Sequence, residues 1–166
     1  MKDIISIEIK TQKADFRTLR TDLLAVGVFS DTKDLDVICG ELDRKLGGNI
    51  RRLIDLDDFK GKKGSSAILY GNAAIGAKRI LLIGLGEKKK ASLDTIRKAA
   101  AQAAKIAVDT KVATLAVALH TQFSGRFDLP VVSQTIAEGI YFGSYRYDEF
   151  ITDKEKVRPA ALTVHL

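Results

Sequence analysis

The chain has 166 residues, 27 basic and 21 acidic side chains for a formal charge of +6, two histidines and one cysteine. That length fits a single domain able to bury about 70% of the surface its unfolded form exposes, so neither metal nor disulfide is needed, and a lone Cys39 excludes an internal disulfide. Charges break every apolar run from Met1 to Glu8 and no run approaches the ~18 apolar residues of a membrane helix, which excludes a signal peptide and a membrane span and predicts a cytoplasmic protein.

Ile5, Ile7 and Ile9 alternate with Ser6, Glu8 and Lys10, the pattern of a strand with one wet face near a sheet edge. After a polar loop, Leu23 to Phe29 reads as a more buried strand. Ser30, Asp31 and Thr32 offer helix N-caps, and Leu35, Ile38, Cys39, Leu42 and Leu46 then share one helical face that ends at Gly47-Gly48. Cys39 lies on that stripe and reads as a small core residue rather than a nucleophile. Asn49 can cap a short second helix. Asp55-Leu56-Asp57-Asp58 lacks the calcium-loop pattern and its glycine, so it reads as a solvated turn. Phe59-Lys60-Gly61-Lys62-Lys63-Gly64 is a basic turn leading into a strand at Ser66 to Tyr70.

The rest of the chain is organised around Lys78 to Glu87. Four consecutive aliphatic residues, Ile80 to Ile83, stand behind Lys78-Arg79 and before Gly84-Leu85-Gly86, as in a strand covered on both faces at the middle of a sheet. The short turn from Gly71 to Ala77 predicts that it pairs with the preceding strand as an antiparallel hairpin. Gly84-Leu85-Gly86 followed by Lys88-Lys89-Lys90 resembles part of a phosphate cradle. The dinucleotide fingerprint fails at Lys89, and the expectation is a structural turn beside solvated lysines.

Ser92 caps a predicted helix to Asp109 whose inner face holds Leu93, Ile96, Ala100, Ala103, Ala104 and Ala107; alanine lets it lie close to the sheet. Val112 to Leu119 is another nearly all-apolar strand. His120 lies just beyond it, where open α/β sheets place ligands, but it has no companion that would make it more than structural. Asp128 and Pro130 start a last helix with Val132, Ile136, Ile140 and Gly143 on one face. The aromatic run Tyr141, Phe142, Tyr145, Tyr147 and Phe150 packs either into the core or against a partner. Thr152 to Arg158 reads as a charged loop. Ala161 to Leu166 alternates like a strand and stops without a polar tail, as if a longer protein had been cut there.

Two segments carry a resemblance. Lys78-Arg79-Ile80-Leu81-Leu82-Ile83-Gly84-Leu85-Gly86 resembles the K-R-x-x-L-x-G-L-G signature of the N-terminal domain of leucyl (cytosol) aminopeptidases. Ala137 to Phe150 is similar to that domain's closing helix, A-x-G-x-x-L-G-x-Y-x-F-D-x-Y/F-K, with Phe142 and Tyr147 at the Leu and Phe positions. Val26 to Phe29 and Phe59 to Gly64 also fit, so the anchors run from Val26 to Phe150.

The resemblance implies an α/β, macro-domain-like fold: a mixed central β-sheet flanked by helices on both faces. It implies residues 1–150 as the domain and 151–166 as a linker and strand leading to an absent C-terminal catalytic domain. The parent would be a metallopeptidase, a hydrolase releasing N-terminal residues from peptides with two divalent metals, manganese or zinc. It would be a hexamer in which this domain aids subunit assembly and limits active-site access. The family's N-T-D-A-E-G-R motif belongs to the other domain and is absent; Ala137-Glu138-Gly139 is only its echo. No catalytic, cofactor-binding or metal residue is therefore assigned, and the chain alone is expected to be inactive. Two alternatives stand beside this reading. One is weak nucleic-acid binding through Lys60, Lys62, Lys63, Lys88, Lys89 and Lys90, since some bacterial members of the family bind DNA. The other is a macro-type ADP-ribose or nucleotide binder.

Overall fold

The computed structural model describes residues 5–11, 13, 15–16, 18–32, 34–145 and 161–165. The strands are β1 (Ser6–Lys10), β2 (Thr21–Phe29), β3 (Ser66–Tyr70), β4 (Ala77–Gly86), β5 (Thr114–Val117) and β6 (Ala161–His165). The helices are α1 (Val37–Lys45), α2 (Asn49–Asp55), α3 (Leu93–Asp109) and α4 (Leu129–Ser144). The strands form one sheet in the order β1-β6-β5-β2-β4-β3, parallel throughout except that β3 runs antiparallel to β4.

β2 and β4 sit side by side at the centre, and Ile80 to Ile83 are wholly buried, as their unbroken aliphatic run requires. Alternate residues face opposite layers. Leu23, Ala25, Leu81, Ile83 and Leu85 meet α3 and α4; Leu24, Val26, Ile80 and Leu82 meet α1 and α2. The mixed sheet between two helical layers is the architecture the sequence led us to expect. β6, read from the sequence as a strand following a linker, takes an interior place between β1 and β5, with Leu162 and Val164 fully buried.

α3 and α4 pack with almost no side-chain spacer. A Cβ on Gly139 would fall 2.3 Å from the Arg97 carbonyl oxygen, and one on Gly143 would fall 2.0 Å from that of Ala101. The two glycines stand four apart on one face of α4 and meet the alanine side of α3, so the backbones touch. An ion pair, Arg97 to Glu138 at 2.9 Å, bridges the same helices at the surface.

Three local expectations need correction. The first helix is capped by Asp36, whose carboxylate accepts from the Cys39 amide at 2.7 Å, and not by Ser30, Asp31 or Thr32. Asp31 instead accepts from the Lys88 amide at 2.8 Å, holding the 3-10 turn after β4. The second helix begins at Asn49 rather than being capped by it: Gly48, in the left-handed region, is the N-cap. The Ile50 and Arg51 amides bond the buried Asp43 carboxylate at 2.9 and 3.1 Å. The strand drawn from Val112 to Leu119 is regular only over Thr114–Val117, because the chain turns into a 3-10 turn at His120–Phe123.

Candidate functional site

The parallel strands all end on one side of the sheet, and the chain leaves β2 and β5 in opposite directions there. β2 feeds α1 on one face; β5 feeds α4 on the other. Such a switch between adjacent strands leaves a crevice that α/β proteins use for ligands. A cleft of ≈ 970 Å³ lies at this point, with Asp36, His120, Arg126 and Asp128 among its polar lining and Phe127 and Leu129 among its apolar lining.

Asp36 bridges the two walls: one oxygen caps α1, and the other accepts from the Gln122 side-chain amide. The Gln122 side-chain oxygen, Oε1, is buried with no hydrogen-bond partner among the described residues. Below the cleft the rings of Phe29 and Phe123 meet edge to face at 5.8 Å. Burial pushes the His120 imidazole below its ordinary pKa, so the ring is neutral at neutral pH. The rim is apolar and wet: Val37 is 86% exposed and Leu129 62%. Both helix starts at the cleft carry carboxylates, Asp36 and Asp128, in the place an anion would otherwise take.

The glycines of Gly84-Leu85-Gly86 are covered by protein. The Gly84 amide donates to the Ser65 carbonyl and the Gly86 amide to that of Gly61, each at 2.8 Å. A Cβ on Gly84 would lie 2.0 Å from the Lys62 carbonyl oxygen, and Gly86, at φ +75°, lies under the Lys63 side chain. The basic turn thus folds over the end of β4 and uses the amides that a phosphate cradle would need, in keeping with a structural turn. The same folding brings the lysine clusters together. Lys60, Lys62, Lys63 and Lys88 to Lys90 are exposed along one rim of the sheet, and Arg126 bonds the carbonyls of Lys88 and Lys89 beside them. Lys60 pairs with Asp57 and Lys90 with Glu87.

Cys39 is buried and its thiol donates to the Gly27 carbonyl at 3.5 Å; burial pushes its pKa well up, as befits a core residue. Asp55, Asp57 and Asp58 are exposed, the solvated turn expected of them. Among the described residues no group of three or more His, Cys, Asp or Glu side chains could hold a metal ion. Tyr141, Phe142 and Tyr145 are 55%, 80% and 76% exposed, so of the two roles open to them the core role does not hold. Tyr147, Phe150 and the loop from Thr152 to Arg158 lie outside the described residues.

What the sequence reading missed are long-range pairings, of Asp36 with Gln122, Asp43 with α2, and Asp22 with β4 and β5. The carboxylate of Asp22, at the opposite end of the sheet, takes the Lys78 ammonium at 2.6 Å and the amides of Ala113 and Thr114 at 3.1 and 3.2 Å. None of these has a local signal. The i, i+4 pair Gly139 and Gly143 did have one, the small-residue spacing of closely packed helices, and it went unused.

A mixed sheet between two helical layers with a cleft at the strand ends defines a macrodomain-like α/β protein. The fold is shared with the Thermus aquaticus DarG macrodomain: TM-score 0.66, 11% identity, 97% of this chain and 99% of that one. It is also shared with a tomato leucine aminopeptidase mutant: TM-score 0.81, 24% identity, 99% of this chain and 33% of that one. A third similar structure, the bottromycin maturation enzyme BotP in complex with Mn, gives a TM-score of 0.57 at 23% identity over 87% of this chain and 26% of that one.

The family model for the cytosol aminopeptidase family, N-terminal domain, matches residues 25–154, and the chain belongs to that family. It is 34% identical to a probable cytosol aminopeptidase of Syntrophotalea carbinolica over 87% of this chain and 29% of the relative. With the corresponding protein of Cyanothece sp. it shares 34% over 90% and 30%. The chain thus spans about a third or less of the curated relatives it matches. No helix among the described residues is long and apolar enough to cross a membrane.

Proposed function

We propose that this chain is the non-catalytic, N-terminal part of a cytoplasmic leucyl aminopeptidase, where it helps to assemble the subunits of a hexamer and narrows access to their active sites. The observation that carries this reading is one of coverage: the N-terminal family model takes up residues 25–154, while the relatives run on for more than twice that length. The peptide substrate and the two divalent metals, manganese or zinc, belong to that further length. The manganese bound by BotP supports the first of those metals.

The test compares the 166-residue chain with the longest reading frame that contains it. Leucyl-anilide hydrolysis with manganese or zinc is expected from the long form alone. Turnover by the short chain that disappears on changing His120 or an acidic residue overturns the non-catalytic reading. Sedimentation of the long form with and without residues 1–145 tests assembly, and an unchanged oligomer overturns that role.

One observation favours a second, subsidiary reading, weak nucleic-acid binding: both lysine clusters share one rim. No aromatic residue interrupts either cluster in the sequence, as single strands prefer, so contacts are to phosphate and fade steeply with salt. A gel-shift titration at moderate salt should show weak binding. Submicromolar affinity lost on replacing the six lysines would reverse the order of the two readings.

A further inference from the structure

The two edges of the sheet are built differently. β1 presents Glu8 and Lys10 on its wet face, paired at 3.2 Å. β3 carries no charge and no proline, and pairs with β4 without a bulge. Charges, prolines and bulges are what keep an exposed edge from pairing with another strand, and β3 has none of them.

Its outward hydrogen-bonding groups can be assigned. The bonds from the Gly84 amide to the Ser65 carbonyl and from the Gly71 amide to the Lys78 carbonyl, both 2.8 Å, fix the alternation along β3. Ser65, Ala67, Leu69 and Gly71 exchange bonds with β4, so the N–H and C=O groups of Ser66, Ile68 and Tyr70 aim away from the sheet. The same three residues present their side chains on the wet face, with Ile68 40% and Tyr70 80% exposed.

We propose that β3 pairs, antiparallel, with β3 of a second copy of this chain about a two-fold axis at Ile68, joining two sheets into one. Ile68 then faces its own symmetry mate, and Ser66 faces Tyr70 on either side. Each of these pairs is of the type that exchanges two hydrogen bonds, so every outward group of the strand is satisfied. The self-complementarity favours a second copy over a foreign strand. Ser66 to Tyr70 carry no charge, so no like charges oppose within the paired strands; beyond them the chain leaves the edge through turns at 62–65 and 72–75. The apolar surfaces of the two Ile68 side chains leave water together. The pairing rests on the assembly role above for its use in the longer protein, and it supplies that role with a surface.

Sedimentation equilibrium of the 166-residue chain should show a concentration-dependent dimer. Ile68→Lys and Ile68→Glu each place like charges at the axis and should sediment as monomers with native circular dichroism, while their equimolar mixture should recover the dimer. Ile68→Pro, which removes only an outward N–H, should also be monomeric. A wild-type chain that stays monomeric, dimers that persist in both charge variants, or a mixture that fails to recover overturns the proposal. The two ideas fail separately. An unchanged oligomer of the long form carrying Ile68→Glu sinks the edge pairing alone. An unchanged oligomer after removal of residues 1–145 sinks the assembly role.

Discussion

The central strands are joined differently at their two ends. At the entry end, one carboxylate does the joining: Asp22 of β2 binds Lys78 of β4 and the Ala113 and Thr114 amides at the start of β5. At the exit end, close backbone contact does it. The turn from Gly61 to Ser65 lies on Gly84 and Gly86, and α1 and α4 begin beside an open cleft. Where Asp22 joins the strands the entry end is electrostatic and partly wet, although Gly71 and Gly76 are closely covered by backbone there too, with Cβ positions 2.0 Å from the Ala77 carbonyl oxygen and 2.5 Å from that of Leu19. The exit end has no slack under the turn and spare room beside it. Ligand sites in α/β sheets favour exit ends because loops there can vary while the strands stay fixed. In this chain the turn over β4 has closed one half of that end, and the cleft over β2 and β5 remains.

The sharpest way to break the contrast is Gly84→Ala. Its methyl group would fall 2.0 Å from the Lys62 carbonyl oxygen and 2.4 Å from the Ser65 hydroxyl, and both belong to a turn that would have to lift. Overpacking against backbone should cost about 3 kcal/mol or more. Chemical denaturation should show that loss, with exchange of the Gly86 amide accelerated. Ile83→Ala, one residue earlier and fully buried, removes packing with no clash and should cost about 2–5 kcal/mol. If Gly84→Ala were the milder of the two by a wide margin, the exit end would have slack and the contrast would fail.

The layers were legible because burial imposes a period, and the pairing of β3 with β4 because the turn between them is short. Ile80 to Ile83 can sit only where both faces are covered, and Ile5, Ile7 and Ile9 only where one is. The covering of Gly84 was not legible, because a two-glycine turn looks the same whether a phosphate or the protein's own carbonyls receives its amides. The family signature named the segment without telling which. His120 was placed at a strand end correctly, yet its cleft depends on α1 and α4 starting from opposite faces, a fact of topology that no short spacing encodes. Asp43 was passed over for a comparable reason: its partners, Ile50 and Arg51, belong to the next helix.

At the entry end, Asp22→Ala leaves the Ala113 and Thr114 amides without their acceptor and should cost about 1–2 kcal/mol. The Lys78 partner is 77% exposed and adds little. Lys78→Ala alone should therefore change the melting temperature much less than Asp22→Ala. Equal losses would mean that the ion pair, and not the carboxylate's grip on β5, fastens this end.

The smallest effect separates the two ends by pH. Burial holds His120 below its ordinary pKa, so the unfolded chain takes up this proton first. Its contribution is complete above the unfolded value of about 6.5 and is lost as pH falls from there toward the lower folded value. Lys78 chiefly, with the Ala113 and Thr114 amides, holds Asp22 below the usual carboxylate range. Its contribution is complete above about pH 4 and is lost only as pH falls further, through the folded value. Acid should thus loosen the exit end before the entry end. Melting temperature recorded from pH 7.5 downward should fall slightly first and steeply later. His120→Asn should flatten the first decline and leave the second, and Asp22→Asn should do the reverse. Amide exchange locates each step, with Gln122 and Phe123 opening in the upper range and Ala113 and Thr114 in the lower. A His120→Asn chain that still declined as the wild type does above pH 5 would show that the imidazole pays no cost of burial.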